Sequence, residues 1–447
     1  MTVPTRLSRR HTVSYGVGAI GNGVFVTVPG LLLLYYLTDV IGVGAGLASL
    51  ALFVPKFWDA FVNPLVGSVS DRSTSRFGKR RPFMLVGGLG TAVAFVLLFS
   101  APTFSSTTVT ALYVTAVFTI AMTLYAVYCV PWSAMPAEMT DDYHERTRLI
   151  SVRMVLLTVG ILVGGALAPA IAGNKHGTRS SYALMGVVVA ALLLGAFLTS
   201  WWGTRGAAST PPLTGPRPTL REQYDVVRGN RPFVSLFWGY NLQAAGQAAM
   251  LTGAQYVATY VLGDPQESAL LFVFLVAPCA VMVPLWRRFS LTRGKLTGYK
   301  AATTIFAVTG LSMVFCRTEP HLLIYVQMVL LGVGYAGMQL FPYAILPDLV
   351  TADADNDGRA GVFTGVWQGG ETVAFAVGPA LYSLVLALSG YVSHAADEKV
   401  AQPGSAITGL VVAFSVLPAV LTFASLPLLR RYTATDSELA AKLLEPA

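Results

Sequence analysis

Charge is what this chain is short of. Only 12% of its 447 residues are Asp, Glu, Lys or Arg, about half the share of an ordinary soluble domain. A soluble enzyme of this length needs far more polar surface, and a disordered or fibrous chain has a different composition altogether, so these classes are excluded first. Cysteine is scarce too. Cys129, Cys279 and Cys316 lie in apolar stretches without metal-ligand spacing, which argues against a disulfide framework and a structural zinc site. The five histidines, His11, His144, His176, His321 and His394, are scattered over loops and span edges and suggest no metal site. There is no Walker-type phosphate loop, as an ATP-driven pump would need. No nucleophile–base pair suggests catalysis, so neither an enzyme nor a cofactor is expected. The stretch Asp353-Ala-Asp355-Asn-Asp357-Gly358 opens like a calcium loop, but its twelfth position is Thr364 rather than Glu, and it runs into an apolar segment.

What the chain has in abundance is apolar sequence, 54% of all residues, with a mean hydropathy of +0.61. Twelve continuous runs reach the length of about 20 residues that crosses a bilayer as a helix. They are predicted at 13–37, 44–69, 83–102, 108–133, 149–173 and 182–203, then 233–262, 267–286, 300–316, 321–345, 360–390 and 404–429. The runs are continuous rather than alternating, so the expectation is an all-α membrane protein and not a β-barrel. The Pro-rich stretch around Ser209–Pro218 marks 204–232 as a linker. It divides the chain into an N-terminal six-helix bundle, 1–203, and a C-terminal one, 233–447, with a short tail.

The net charge of +8 has a topological explanation. With both termini on one side, 24 of the 30 Lys and Arg residues fall on that side. The other side holds only Lys175, Arg179, Arg317 and Lys399. That bias places both termini in the cytoplasm of a multi-pass plasma (inner) membrane protein, and it accounts for the basic pI without nucleic acid.

The halves repeat weakly. Pro136-Ala-Glu138 through Arg146 and Pro347-Asp348 through Arg359 both place an acidic residue after a helix end, then an acidic run, then Arg. Gly78-Lys79 and Gly294-Lys295 recur at a similar offset. Two six-helix repeats with a binding site near the midplane is an architecture of secondary transporters. The loop Gly67-Ser-Val-Ser-Asp71-Arg72-Ser-Thr-Ser-Arg76-Phe-Gly78-Lys79-Arg80-Arg81-Pro82 joins the second and third runs. Asp71 there opposes a helix dipole unless an arginine pairs with it. Such a cluster reads either as a gating latch of Asp71, Arg72, Arg76, Arg80, Glu138 and Asp348, or as ordinary positive-inside chemistry.

That loop resembles the signature of the major facilitator superfamily. The flanking text is narrower: Ser14-Tyr15-Gly16-Val-Gly18, Tyr35-Tyr36-Leu-Thr38-Asp39, Trp58-Asp59-Ala60, Asn63-Pro64, Pro131-Trp132-Ser-Ala and Pro342-Tyr343-Ala344. It is similar to the glycoside–pentoside–hexuronide:cation symporter family, whose distant animal relatives include lysophospholipid symporters. The resemblance covers nearly the whole chain. It implies twelve helices in two bundles, alternating access, and a sugar, glycoside or amphiphilic substrate. A monomer among membrane lipids is the expectation, with oligomeric state left open by the sequence. An uncoupled receptor or lipid scramblase is the rival of another class.

Two carboxylates fall inside the apolar runs, where charge is costly and usually functional. Asp59 has Lys56 three residues earlier on the same helix face, which suits either a cation or proton site or a structural ion pair. Glu371 sits in Trp367-Gln368-Gly369-Gly370-Glu371-Thr372 and suits either a protonation or substrate-cation site or a neutral hydrogen-bonded glutamic acid. The family resemblance sharpens this. The family's second acid on the second helix is Asn63 here, and its other sodium-helping positions are Val62 and Ala126, so the comparison with the family's pattern disfavours Na⁺ and leaves coupling to H⁺, or no coupling, as the expectation. The family's sugar-binding positions are Asn22, Gly23 and Cys129, with Thr372 on the eleventh helix, while Arg153 is retained. The candidate substrate-binding set is therefore Asn22, Asp59, Asn63, Cys129, Trp132, Arg153, Gln243, Gln247, Trp367, Gln368, Glu371 and Thr372. Lys56, Asp59 and Glu371 are the candidates for ion coupling.

Overall fold

The computed structural model describes residues 7–73, 75, 78–140, 142–173, 177–206, 228–318, 320–351, 360–396, 398 and 400–430. Long helices dominate it. In the first half they are α1 (Arg9–Tyr35), α2 (Ala45–Asp71), α3 (Arg81–Phe99), α4 (Thr107–Met139), α5 (Tyr143–Ala172) and α6 (Arg179–Gly203). In the second they are α7 (Arg231–Val257), α8 (Glu267–Val276), α9 (Cys279–Arg293), α10 (Lys295–Ser312), α11 (His321–Thr351), α12 (Ala360–Leu388) and α13 (Gly404–Arg430). Local chemistry sets several starts. Ser8 Oγ accepts from the amide of His11 at 3.2 Å, and Asn230 Oδ1 accepts from that of Phe233 at 3.0 Å, capping α1 and α7.

Helix occupies each of the twelve expected ranges. The eighth is built from two helices, α8 and α9, parted just before Cys279, where Pro278 cannot continue the backbone ladder. Among the described residues, ten spans are long and apolar enough to cross a membrane. Of the expected twelve, α7 and α10 fall outside that set, and the reason for α7 is visible. Asn241, Gln243, Gln247, Thr252 and Gln255 are all buried in its core-facing surface. Several helices also outrun the apolar sequence. α4 continues to Met139 and α5 begins at Tyr143, so the loop between them shrinks to Thr140–Asp142 and Glu138 stands on the last turn of α4.

The chain packs as two compact units. The first comprises Met1–Gly215 with two short pieces from later in the chain, Asp264–Ala269 and Val392–Ala401. The second comprises Pro216–Gly263, Leu270–Tyr391 and Gln402–Ala447. Most of the expected linker, residues 207–227, lies outside the described residues. Within the first unit, α1 lies along α5 and α6, and α4 along α2 and α3. Small residues let α1 and α5 approach: a Cβ on Gly160 would lie 2.2 Å from the carbonyl oxygen of Ile20, and one on Gly23 would lie 2.5 Å from that of Leu157. Within the second unit, α7 lies along α12 and α13, and α10 along α11 and α13.

The internal repeat is visible in backbone form. α1 and α7 both end in a five-residue π-helical turn, Tyr36–Val40 and Ala258–Leu262. Each turn is followed within two residues by a glycine in the left-handed region, Gly42 at φ +87° and Gly263 at φ +80°.

Candidate functional site

In the first unit, α2 carries a buried stripe of Ala48, Ala51, Leu52, Pro55, Asp59 and Val62. Its other side exposes Leu50, Val54, Phe57, Trp58, Phe61, Leu65 and Val69, the residue types that suit lipid. Asp59 therefore stands on the inward face. Its Oδ2 accepts from Nδ2 of Asn63 at 3.0 Å. Its Oδ1 is buried with no hydrogen-bond partner among the described atoms. Pro55 and Pro64 interrupt the backbone ladder on either side of this pair.

A second feature is built around Trp132 on α4. The indole is fully buried and donates to the carbonyl of Tyr15 at 3.1 Å. Tyr15 stacks on it with ring centroids 4.9 Å apart. The Arg153 guanidinium of α5 lies over the same indole, 4.6 Å from the ring centroid. Arg153 has no carboxylate within ion-pair distance among the described residues. The Tyr15 hydroxyl and the Asn22 side-chain oxygen, both on α1, are buried without a partner. Cys129, one turn before Trp132, is a free, half-buried thiol.

The second unit holds Glu371 on α12 in a different setting. Tyr343 donates to both carboxylate oxygens, at 3.0 and 2.8 Å, and Tyr240 donates to Oε1. No cation is paired with Glu371 among the described residues. Trp367, one turn earlier, is buried. Tyr240 stacks on it at 4.6 Å, and Phe233 and Phe237 pack against it edge-on. Tyr240 thus covers one face of the indole. The Thr372 hydroxyl turns back onto the Gln368 carbonyl at 3.0 Å, and Gln368 itself is exposed.

The two glutamines of α7 divide. Both N–H donors of Gln243 are used, on Ser425 at 2.8 Å and Thr303 at 3.2 Å, and its oxygen accepts from Tyr299 at 2.9 Å. It ties α7, α10 and α13 together, with no donor left for a solute. Gln247 accepts from Gln339 at 3.1 Å, and its own amide nitrogen is buried without a partner.

The expected gating residues also separate. Arg80 is buried. It lies 2.6 Å from Asp71 and 2.8 Å from Glu138, and it donates to Ser70 at 2.8 Å. Lys79, which sequence reasoning left out of the candidate set, reaches Glu138 at 2.9 Å. These contacts all fall inside the first unit, so Arg80 is a structural hub there. Arg72 is exposed. Arg76, the side chain of Asp348 and the acidic stretch 353–357 lie outside what the structure describes. Tyr240 and Tyr343 were also missed as site residues. Tyr343 stands in the quoted Pro342-Tyr343-Ala344 motif, whereas nothing in the sequence marks Tyr240 as a partner of Glu371.

A chain of long apolar helices with carboxylates and an arginine set inside them is built as a secondary transporter. The comparisons agree. Residues 14–436 match the family of MFS/sugar transport proteins, and the chain belongs to that family. It is 27% identical to the inner membrane symporter YicJ of Escherichia coli K12, covering 95% of this chain and 92% of that one. It is 21% identical to the sodium-dependent lysophosphatidylcholine symporter 1 of Xenopus tropicalis, covering 97% and 89%. Among solved structures, a bacterial homologue of the human lysosomal transporter Spinster aligns over 98% of both chains with a TM-score of 0.69 at 13% identity. The protein is thus a multi-pass membrane transporter of the major facilitator superfamily, in the glycoside–pentoside–hexuronide:cation symporter branch.

Proposed function

We propose that this transporter carries a sugar or glycoside by alternating access, coupled to protons and not to sodium, as a monomer with both termini in the cytoplasm. The observation that carries the coupling is the company its two intramembrane carboxylates keep. Glu371 is held by two phenols and Asp59 by an amide. Sodium prefers a cage of several oxygens, and Asn63 turns a nitrogen toward Asp59. Val62 and Ala126 add no side-chain oxygen. A proton needs no cage, only a carboxyl group whose surroundings change between access states. Glu371, with no cation paired to it, is assigned as the proton carrier. Arg153, Asn22 and Gln247 are assigned as the substrate-facing groups, with Trp132 supporting the Arg153 guanidinium. The positive-inside bias of the loops supports the orientation.

The test is uptake into proteoliposomes with an imposed sodium or pH gradient, with Glu371→Gln and Asp59→Asn alongside. Proton-driven accumulation is expected in the parent and is lost in Glu371→Gln. Accumulation driven by sodium alone overturns the coupling.

A second reading, transport of a lysolipid, is favoured by one observation. Arg153 lies on Trp132 without a carboxylate partner, an arrangement suited to a phosphate group, and a relative along nearly the full chain is named for lysophosphatidylcholine. Competition between methyl glucoside and lysophosphatidylcholine for uptake separates the two readings.

A further inference from the structure

The short connection between α12 and α13 does not stay with its own helices. Val392–Ala401 packs in the first unit, against the end of α1. His394 donates its amide to the carbonyl of Thr38 at 2.9 Å, and Ala396 donates to that of Val40 at 3.2 Å. Ile41 and Ala395 form an isolated antiparallel bridge. Gly42 allows this approach. It turns the chain at φ +87°, and a Cβ there would sit 3.3 Å from both the Ala395 nitrogen and the His394 carbonyl carbon.

Side chains add a charged contact to the pairing. Asp39, on the π-helical turn that ends α1, has a side chain with 0% exposure, and its Oδ1 lies 3.7 Å from Nε2 of His394. Thr38 donates to its Oδ2 at 2.5 Å. A buried carboxylate is costly unless a cation or donors compensate it. An imidazolium supplies that charge and a neutral imidazole does not. Tyr182 faces Asp39 together with Tyr35 and Tyr36, and Arg179 and Tyr113 face Tyr36. Glu398, on the strap, accepts from the Ala395 amide at 3.4 Å. Asp397 and Lys399 lie outside the described residues.

The backbone pairing is short, spanning residues 38–41 and 394–396, and so short a ribbon is marginal by itself. Its ends belong to α12 and α13, which any alternating-access movement of those helices would pull. We propose that residues 392–396 are a releasable latch on the end of α1, unseated in each transport cycle, and that His394 and Asp39 make its grip proton-sensitive. The sign follows from charge. With Asp39 ionised, the latch holds when His394 is protonated and loosens when it is neutral. The proposal rests on the transporter assignment but on neither the substrate nor the coupling ion.

Two measurements test it. Hydrogen–deuterium exchange of the intact protein in detergent reads the latch directly, because the His394 and Ala396 amides are its donors. Scaled to an unstructured peptide at each pH, protection of this segment is expected to be about threefold greater near pH 5.5 than near pH 8, the range of a charge effect of this kind. His394→Gln and Asp39→Asn should each abolish that difference. A difference that survives both variants overturns the histidine–aspartate switch. The second measurement joins the latch covalently. Paired residues of an antiparallel bridge lie within the Cα range that a disulfide spans. Ile41→Cys with Ala395→Cys is made in a chain whose three native cysteines are replaced. Uptake of labelled methyl glucoside or lysophosphatidylcholine, whichever the reduced protein carries, should stop on oxidation and return on reduction. Uptake that continues when the bond is formed overturns the requirement for release. A reduced protein that carries neither probe counts against the substrate reading instead, and exchange alone then decides the latch.

Discussion

Arg80→Ala offers the sharpest test of how the first unit is held at the end of α2. The guanidinium is buried against two carboxylates, 2.6 Å from Asp71 and 2.8 Å from Glu138. Breaking a buried ion pair by removing one partner costs about 3–5 kcal/mol, because the other charge stays behind. Lys79 remains 2.9 Å from Glu138 and neutralises that carboxylate. The loss at Asp71 is therefore only partly offset, which places the cost at the lower end, about 3 kcal/mol. For a unit of roughly two hundred residues each kcal/mol moves the melting temperature by about 2–4 °C, so a fall of roughly 6–12 °C is expected. The assay is a thermal melt in detergent followed by tryptophan fluorescence, with Arg80→Lys beside it. Lysine keeps the charge but not the planar fork that reaches Asp71, Glu138 and Ser70 together, and it should fall between the two. An Arg80→Ala protein melting within about 2 °C of the parent would refute the argument that this cluster is a buried, mutually dependent network. Charge reversal here is correspondingly a structural lesion, and a transport defect in Arg80→Glu is not evidence of gating until its melting has been measured.

Gln243→Leu leaves the Tyr299, Thr303 and Ser425 groups without their shared partner. It should cost about 1–3 kcal/mol in the same melt while leaving the KM for solute unchanged, and a raised KM would return Gln243 to the substrate-binding set. Gly160→Val forces a side chain into the place where α1 and α5 touch, with the first carbon 2.2 Å from the Ile20 carbonyl. Folded protein should be lost from gel filtration, and a parent-like elution profile would contradict the crossing. Tyr343→Phe removes the hydroxyl that reaches both Glu371 oxygens. It should lower proton-driven uptake several-fold while sparing solute exchange without a gradient; equal losses in both modes would separate Tyr343 from coupling.

The apolar runs placed helices well because lipid demands continuous hydrophobicity. They misplaced ends wherever a helix leaves the hydrocarbon region, as at Glu138, where polar residues continue the helix into the ion-pair cluster around Arg80. Asp59, Glu371 and Arg153 were legible because charge is rare in such segments. What they touch was not. The Tyr240–Glu371 bond joins residues 131 apart, and Trp367 looked available only because nothing in the sequence shows that Tyr240 covers it. Gln243 and Gln247 look alike on paper, yet one is enclosed by three helices and the other keeps an unpartnered nitrogen. The strap was invisible too, because pairing between residues 38–41 and 394–396 is too brief to leave a pattern.

The polar interior of α7 also bears on how the chain is made. A helix carrying Asn241, Gln243, Gln247 and Gln255 partitions poorly from the translocon into lipid when it arrives alone. Partners of these amides come later: Tyr299 and Thr303 of α10, Gln339 of α11, and Ser425 of α13, the last more than a hundred residues on. Biogenesis therefore has an interval in which α7 sits in the membrane, or at its edge, with its amides facing lipid or water. Truncation before Gly404 removes Ser425, a partner of Gln243, and is expected to weaken the hold of α7 across the bilayer.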